Sequence, residues 1–142
     1  MNDRSHSDTP DLNTSPTFDE GMIWEGVVVD ELSKAGFQIV ARNVRLGQKE
    51  ADIIAIEGDT LCVVEVKSRN NAAYLRDIDA LINRQKRRDM VAIGNYYFKV
   101  HKDMGFRKLR FDFALVLIPR HGEEPRIDYY RNAFLPTVGR TF

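Results

Sequence analysis

A chain of 142 residues, 43% hydrophobic and 30% charged, is long enough for one domain to bury a core without disulfides or structural metal. Lys plus Arg and Asp plus Glu number 21 each, so the formal net charge is zero; this excludes a global basic field and leaves polyanion binding to a local patch. The lone Cys62 excludes an internal disulfide, the scattered His6, His101 and His121 do not form a zinc pattern, no apolar run reaches the roughly 18 residues of a membrane span, and the N-terminus lacks a signal-peptide layout, which leaves the cytoplasm as the expected location.

Residues 1–17 are polar and rich in Ser, Thr, Asp and Pro, which reads as a disordered tail before a single domain over 18–142. A first helix is expected from Asp19 to Lys34, with Trp24, Val28, Leu32 and Ala35 at helical spacing and Gly36 as the stop. A strand fits Phe37–Arg45. Two β-rich runs follow, Glu50–Ile56 and Leu61–Lys67, joined by Glu57-Gly58-Asp59-Thr60, which has hairpin-turn chemistry. A polar loop runs from Ser68 to about Arg76. A second helix is expected from Ile82 to Phe98, with Lys86, Met90, Ile93 and Tyr97 along one stripe. Phe111–Ile118 is an apolar run suited to a buried central strand, and Arg126–Phe134 a last strand or strand-like arm. The order α-β-β-β-α-β plus one strand implies an α/β fold, a mixed sheet flanked by helices.

The chemistry concentrates on the hairpin. With Gly58-Asp59 as a two-residue turn, Asp52 falls opposite Glu65 and Glu50 opposite Lys67. Opposed Cβ atoms approach to roughly 4.5–5.5 Å, and alternation puts Glu65 and Lys67 on one face. Like charges directly opposed destabilise a hairpin, and Val63-Val64 and Ile53-Ile54 mark this one as buried, where unpaired charge is costly. A divalent cation resolves the conflict: carboxylate oxygens are hard ligands suited to Mg²⁺, which keeps several waters, and the Val66 carbonyl could add a ligand. The alternatives are an Asp52 solvated at a sheet end or paired with Lys67 or an Arg. A one-residue change of register would separate Asp52 from Glu65. Glu25, on the inward edge of the first helix beside Val28, Val29 and Leu32, is either a further metal or water ligand or an edge carboxylate paired with an Arg.

Asp52 followed by Glu65-Val66-Lys67 resembles the signature of the PD-(D/E)XK nucleases, the restriction endonuclease-like superfamily. More narrowly, the chain resembles the bacterial YraN family of endonuclease-like proteins, itself distantly similar to archaeal Holliday-junction resolvases. The residues that carry the likeness are Glu25, Leu32 with Gly36-Phe37, Arg42-Asn43-Val44-Arg45, Glu50-Ala51-Asp52-Ile53-Ile54-Ala55, Val64-Glu65-Val66-Lys67, Lys86, Arg110-Phe111-Asp112 and Asn132-Ala133-Phe134. Two glycines usual in that family are replaced, by Trp24 before Glu25 and by Lys49 before Glu50. The resemblance implies an αβββαβ core in which Asp52 and Glu65 bind Mg²⁺ or Mn²⁺ and Lys67 assists the attacking water.

Arg84, Lys86, Arg87 and Arg88 form the densest basic cluster. Such a run is ordinarily a solvated helix face, but Lys86 continues the apolar stripe and should point toward the acidic pair. Its neighbours, with Arg69 and Arg76, are candidate phosphate contacts. The expected function is metal-dependent hydrolysis of phosphodiesters in branched or structured DNA, in repair or recombination, through Asp52, Glu65 and Lys67 with Glu25 as helper. The alternative is a non-catalytic nucleic-acid-binding or assembly module with a vestigial site. The sequence leaves DNA against RNA open, and a homodimer open as well.

Overall fold

The computed structural model describes residues 18–70 and 78–136, with side chains from 21 to 70 and from 80 to 136. The tail over 1–17, Arg76 and most of the expected polar loop lie outside the described residues. Helix α1 spans Phe18–Lys34, followed by strands β1 Gln38–Leu46, β2 Lys49–Glu57 and β3 Thr60–Arg69. A short helix α2, Ile78–Leu81, precedes α3, Arg84–Val100; a 3-10 turn, Lys102–Met104, leads into β4, Lys108–Leu117, and β5, Arg126–Tyr130. The five strands form one mixed sheet in the order β1-β2-β3-β4-β5, with β3 and β4 parallel and the other neighbours antiparallel. This is a restriction endonuclease-like α/β core.

Local chemistry explains the elements. Gly36 takes a φ of 99° that lets the chain leave α1, and the Phe37 N–H closes on the Leu32 carbonyl at 2.9 Å. Ala35 lies past the helix end and is exposed, so the buried α1 stripe is shorter than its spacing implied. Gly58 adopts φ 63° in the two-residue turn between β2 and β3. Asn83 caps α3, its side-chain oxygen accepting from the Lys86 N–H at 2.8 Å, so Ile82 precedes the helix and is buried.

The sheet separates two apolar layers. Ile54, Ile56, Leu61, Val63, Phe111, Phe113 and Leu115 face α3 through Met90 and Ile93. Ile53, Ala55, Cys62, Val64, Ala114 and Val116 face α1 through Val28 and Leu32. Adjacent residues of β2 and β3 therefore serve opposite layers, which is why these strands read as continuous apolar runs. Gly94 lets α3 approach closely: a Cβ there would lie 3.0 Å from both Phe111 and Val63 side-chain carbons. The last strand ends at Tyr130, short of the expected Phe134. The chain then folds back, the Ala133 N–H meeting the Phe111 carbonyl at 2.8 Å and the Phe134 ring stacking on Phe111 at 5.3 Å.

Candidate active site

The β2–β3 ladder follows the expected register from Glu57 opposite Thr60 to Ile53 opposite Val64, and stops there. Strand β3 stays with β4 along its full length, Thr60 with Lys108 through Arg69 with Leu117. Strand β2 stays with β1, where Ala51 pairs with Val44 and Glu50 with Arg45. The sheet thus forks just where Asp52 and Glu65 would have been opposed. The expected cross-strand pair of Glu50 with Lys67 does not form; Glu50 is exposed and bonds Arg45 at 2.8 Å. Repulsion between apposed carboxylates disfavours closing the fork.

Side chains rebuild the missing rungs. The Val66 N–H donates to Asp52 Oδ2 at 2.7 Å, taking the place of a backbone partner. In an extended strand the N–H and C=O of one residue share an edge, so the Val66 carbonyl is directed to the fork side as well. Lys86 reaches from α3 into the fork, its Nζ 3.2 Å from the Glu50 carbonyl on β2 and 3.4 Å from Glu65 Oε1 on β3. Lys67 Nζ lies 3.5 Å from Glu65 Oε2, on the same face as alternation requires. The structure therefore brings together Asp52, Glu65, Lys67 and Lys86, with Glu25 beside Asp52 at the edge of α1.

The electrostatics are those of a crowded, dry carboxylate group. The Glu65 side chain is only 3% exposed. Burial first, then the adjacent Asp52, pushes its carboxyl up to about 8, against the pull of Lys86 and Lys67. Burial and Asp52 likewise raise Glu25 to about 7, opposed by Arg42 and Lys86. Glu65 Oε1 and Glu25 Oε1 are buried without a hydrogen-bond partner. Asp52 lies within hydrogen-bonding reach of both acids. Even so, no three His, Cys, Asp or Glu side chains among the described residues converge tightly enough to enclose an ion by themselves. Two carboxylates with open positions fit a cation that retains water better than a closed protein cage does.

The basic run on α3 divides. Arg87 is half-buried, donating to the Ile82 carbonyl at 2.9 Å and lying 5.4 Å from the Phe134 ring centroid, so it serves packing as well as charge. Arg88 donates to Gln85 at 2.7 Å on the exposed side, and Arg84 is exposed. Arg69, at the end of β3, donates to the Ser68 carbonyl at 2.7 Å. Only Lys86 of this cluster enters the acidic fork.

A second polar group lies on the α1 face, toward the hairpin turn. Asp112, fully buried, receives Arg110 Nε at 2.8 Å, the Tyr129 hydroxyl at 2.6 Å and the Asn132 N–H at 2.9 Å. Arg110 also reaches Glu57 at 2.7 Å, and Arg131 grips both Glu57 oxygens at 2.9 and 2.7 Å. This network ties β5 and the returning arm to β2 and β4, and every Asp112 oxygen is satisfied, which marks it as structural. The sequence signal for it was one acid inside the apolar run Phe111–Ile118, two residues after an arginine; a charge there needs a partner at that spacing across one strand face.

The model of an uncharacterised protein family, UPF0102, matches residues 24–116, a span from Trp24 to Val116 within β4 that includes Glu25, Asp52, Glu65, Lys67 and Lys86. A UPF0102 protein of Dictyoglomus turgidum is 33% identical over 114 residues, covering 80% of this chain and 95% of that protein. One of Rhodococcus jostii is 35% identical over 113 residues, with 78% and 91% covered. One of Alkaliphilus metalliredigens is 33% identical over 114 residues, with 80% and 96% covered. With a family model matching most of its length and relatives of this likeness nearly fully spanned, the chain belongs to the UPF0102 family.

Proposed function

We propose that this protein is a metal-dependent nuclease of the PD-(D/E)XK kind that hydrolyses nucleic-acid phosphodiesters, with branched or structured DNA as the leading substrate class and the cytoplasm as its place of action. The observation that carries the reading is the fork itself: a buried Glu65 and a half-buried Asp52 brought together with Lys67, with two buried carboxylate oxygens in the group that receive no hydrogen bond, Glu65 Oε1 having only the Lys86 ammonium near it. A purely structural fork gains nothing from a third acid, Glu25, in the same dry group.

The donor set fits Mg²⁺ or Mn²⁺. Asp52 and Glu65 would hold the ion, with Glu25 contributing directly or through water. When bound, the ion supplies positive charge and Lewis acidity at the scissile phosphate. The chain's own residues do the remainder. The Val66 N–H fixes the Asp52 carboxylate, so its free oxygen is pre-oriented. Lys86 clamps the fork and holds Glu65 from the α3 side. Lys67, 35% exposed in its side chain, presents an ammonium toward solvent where an attacking water and the phosphate meet; it orients that water and offsets charge developing on phosphate oxygens. Arg84, Arg88 and Arg69 would hold flanking phosphates, a sequence-independent contribution.

One observation favours a second reading. Lys67 and Lys86 already pair with Glu65, so the triad is partly neutralised with no cation, as a non-catalytic nucleic-acid-binding or assembly module would require. Cleavage assays with Mg²⁺ or Mn²⁺ over branched, duplex and single-stranded DNA and RNA separate the two. Metal-dependent cutting that Lys67→Ala abolishes supports the nuclease; wild-type protein that binds these substrates and never cuts them establishes the module instead.

A further inference from the structure

Strand β1 carries an irregularity with a consequence for Arg42. Gln38 pairs with Ile56 and Ile39 with Ala55, but after the extra residue Val40 the register shifts, so Ala41 pairs with Ile54 and Arg42 with Ile53. Without the bulge, Arg42 would stand opposite Asp52, on the α3 side. With it, Arg42 shares the face of Ile53, which packs toward α1. A β-bulge re-aims a side chain in just this way and is over-represented next to active sites. Beyond it, Asn43, bracketed by the pairs Arg42–Ile53 and Val44–Ala51, adopts φ 51°, a conformation uncommon outside glycine.

The re-aimed guanidinium lies over α1 at Gly26, its Nη2 3.8 Å from the position a Cβ on that glycine would occupy. That is one residue from Glu25, close enough for its charge to act on that carboxyl. Yet Arg42 is exposed and makes no hydrogen bond or ion pair among the described residues. Lys86 and Lys67, by contrast, are both engaged with Glu65. An arginine brought to the rim of an acidic site and left uncommitted has five donors in a planar fork suited to a phosphate.

We propose that Arg42 grips a phosphate of the bound nucleic-acid strand at the α1 rim of the site, so that the strand crosses the β1–α1 side of the fork as well as the start of α3. This rests on the nuclease reading for its ligand class, and it adds a contact that the basic run on α3 does not supply.

The test is equilibrium binding of a fluorescein-labelled branched DNA, with its duplex arm alone as a second probe, over a salt series and without divalent metal. Arg42→Ala is compared with Arg42→Lys and wild type, and Arg42→Gln serves as a second neutral variant. At roughly 0.15 M salt, loss of one phosphate contact should weaken duplex binding about fivefold and reduce the slope of log K against log salt by about 0.9. Arg42→Lys should retain the slope and lose part of the affinity, because an ammonium keeps the charge without the bidentate geometry. Melting temperatures should be unchanged, since Arg42 has no internal bond to lose. Neutral variants that bind with wild-type affinity and slope overturn the inference while leaving the nuclease reading intact. Neutral variants that change melting temperature alone also overturn it, making Arg42 a structural counter-charge for Glu25. Wild-type protein that binds neither probe overturns the nucleic-acid reading, and this inference with it.

Discussion

Replacing Glu65 by Gln removes one ionisable proton and almost no volume, and the fork assigns that change an unusual sign. In the metal-free protein, burial and Asp52 raise the Glu65 carboxyl from 4.5 to about 8. Between those values the folded protein holds the proton and the unfolded chain does not, so stability falls as pH rises through the window. At roughly 1.4 kcal/mol per pH unit the whole span is worth about 5 kcal/mol, and because the folded acid is half ionised at pH 8 the ceiling on the loss by that pH is about 4 kcal/mol. Gln mimics the protonated acid and escapes the loss; the pull of Lys86 and Lys67 is already contained in that value, but both side chains, 21% and 35% exposed, let water screen the ionised acid and reduce the loss. About half the ceiling should survive, near 2 kcal/mol, or very roughly 4–8 °C in melting temperature for a domain of this size. Thermal melts in EDTA should therefore show Glu65→Gln more stable than wild type at pH 8 and equal to it at pH 5. Mg²⁺ at ten times its dissociation constant should return about 1.4 kcal/mol to wild type and nothing to the variant. The opposite result is a Glu65→Gln variant less stable than wild type by the same margin at both pH values, with Mg²⁺ moving neither protein. Glu65 would then be an ionised member of a structural triad with Lys67 and Lys86.

Lys67→Ala should abolish metal-dependent cleavage while changing nucleic-acid affinity by less than about tenfold, since one cation is a small part of the phosphate contact; parallel cleavage and anisotropy titrations check it. Glu57, held down to about 2 chiefly by its bonds to Arg131 and then Arg110, stabilises the fold above pH 4.5 and loses that contribution as pH falls through 2. Glu57→Gln should cost about 1–2 kcal/mol at pH 7 and flatten the acid limb of the stability curve, measured by urea unfolding from pH 7 to 2. Gly94→Ala should destabilise by about 1–2 kcal/mol in chemical denaturation, because its Cβ would press on Phe111 and Val63 at 3.0 Å and outweigh the gain in helix propensity. Arg87→Ala should cost about 1 kcal/mol through its lost contacts with Phe134 and the Ile82 carbonyl; a loss of DNA affinity with unchanged stability would contradict its packing role.

Sequence alone determined the parts that local physics controls. The hairpin register followed from Gly58-Asp59 and period-two alternation, so Glu65 and Lys67 could be placed on one face with Asp52 nearby. The stripe Lys86, Met90 and Ile93 pointed Lys86 at the sheet because helical periodicity fixes which side chains share a face. Three things were decided only by contacts between residues distant in sequence. The fork opens after Ile53 because β3 follows β4 and β2 follows β1, and no local signal says which neighbour a strand keeps. The Glu57–Arg110–Asp112–Tyr129 network depends on parallel β3–β4 pairing, which brings together groups up to 72 residues apart only after the chain has crossed over through α3. The bulge at Val40 moves Arg42 from one face of the sheet to the other; alternation read along the strand gives Arg42 the wrong face, because it does not reveal an extra residue, while Val44, past the left-handed Asn43, is back in the α3 layer.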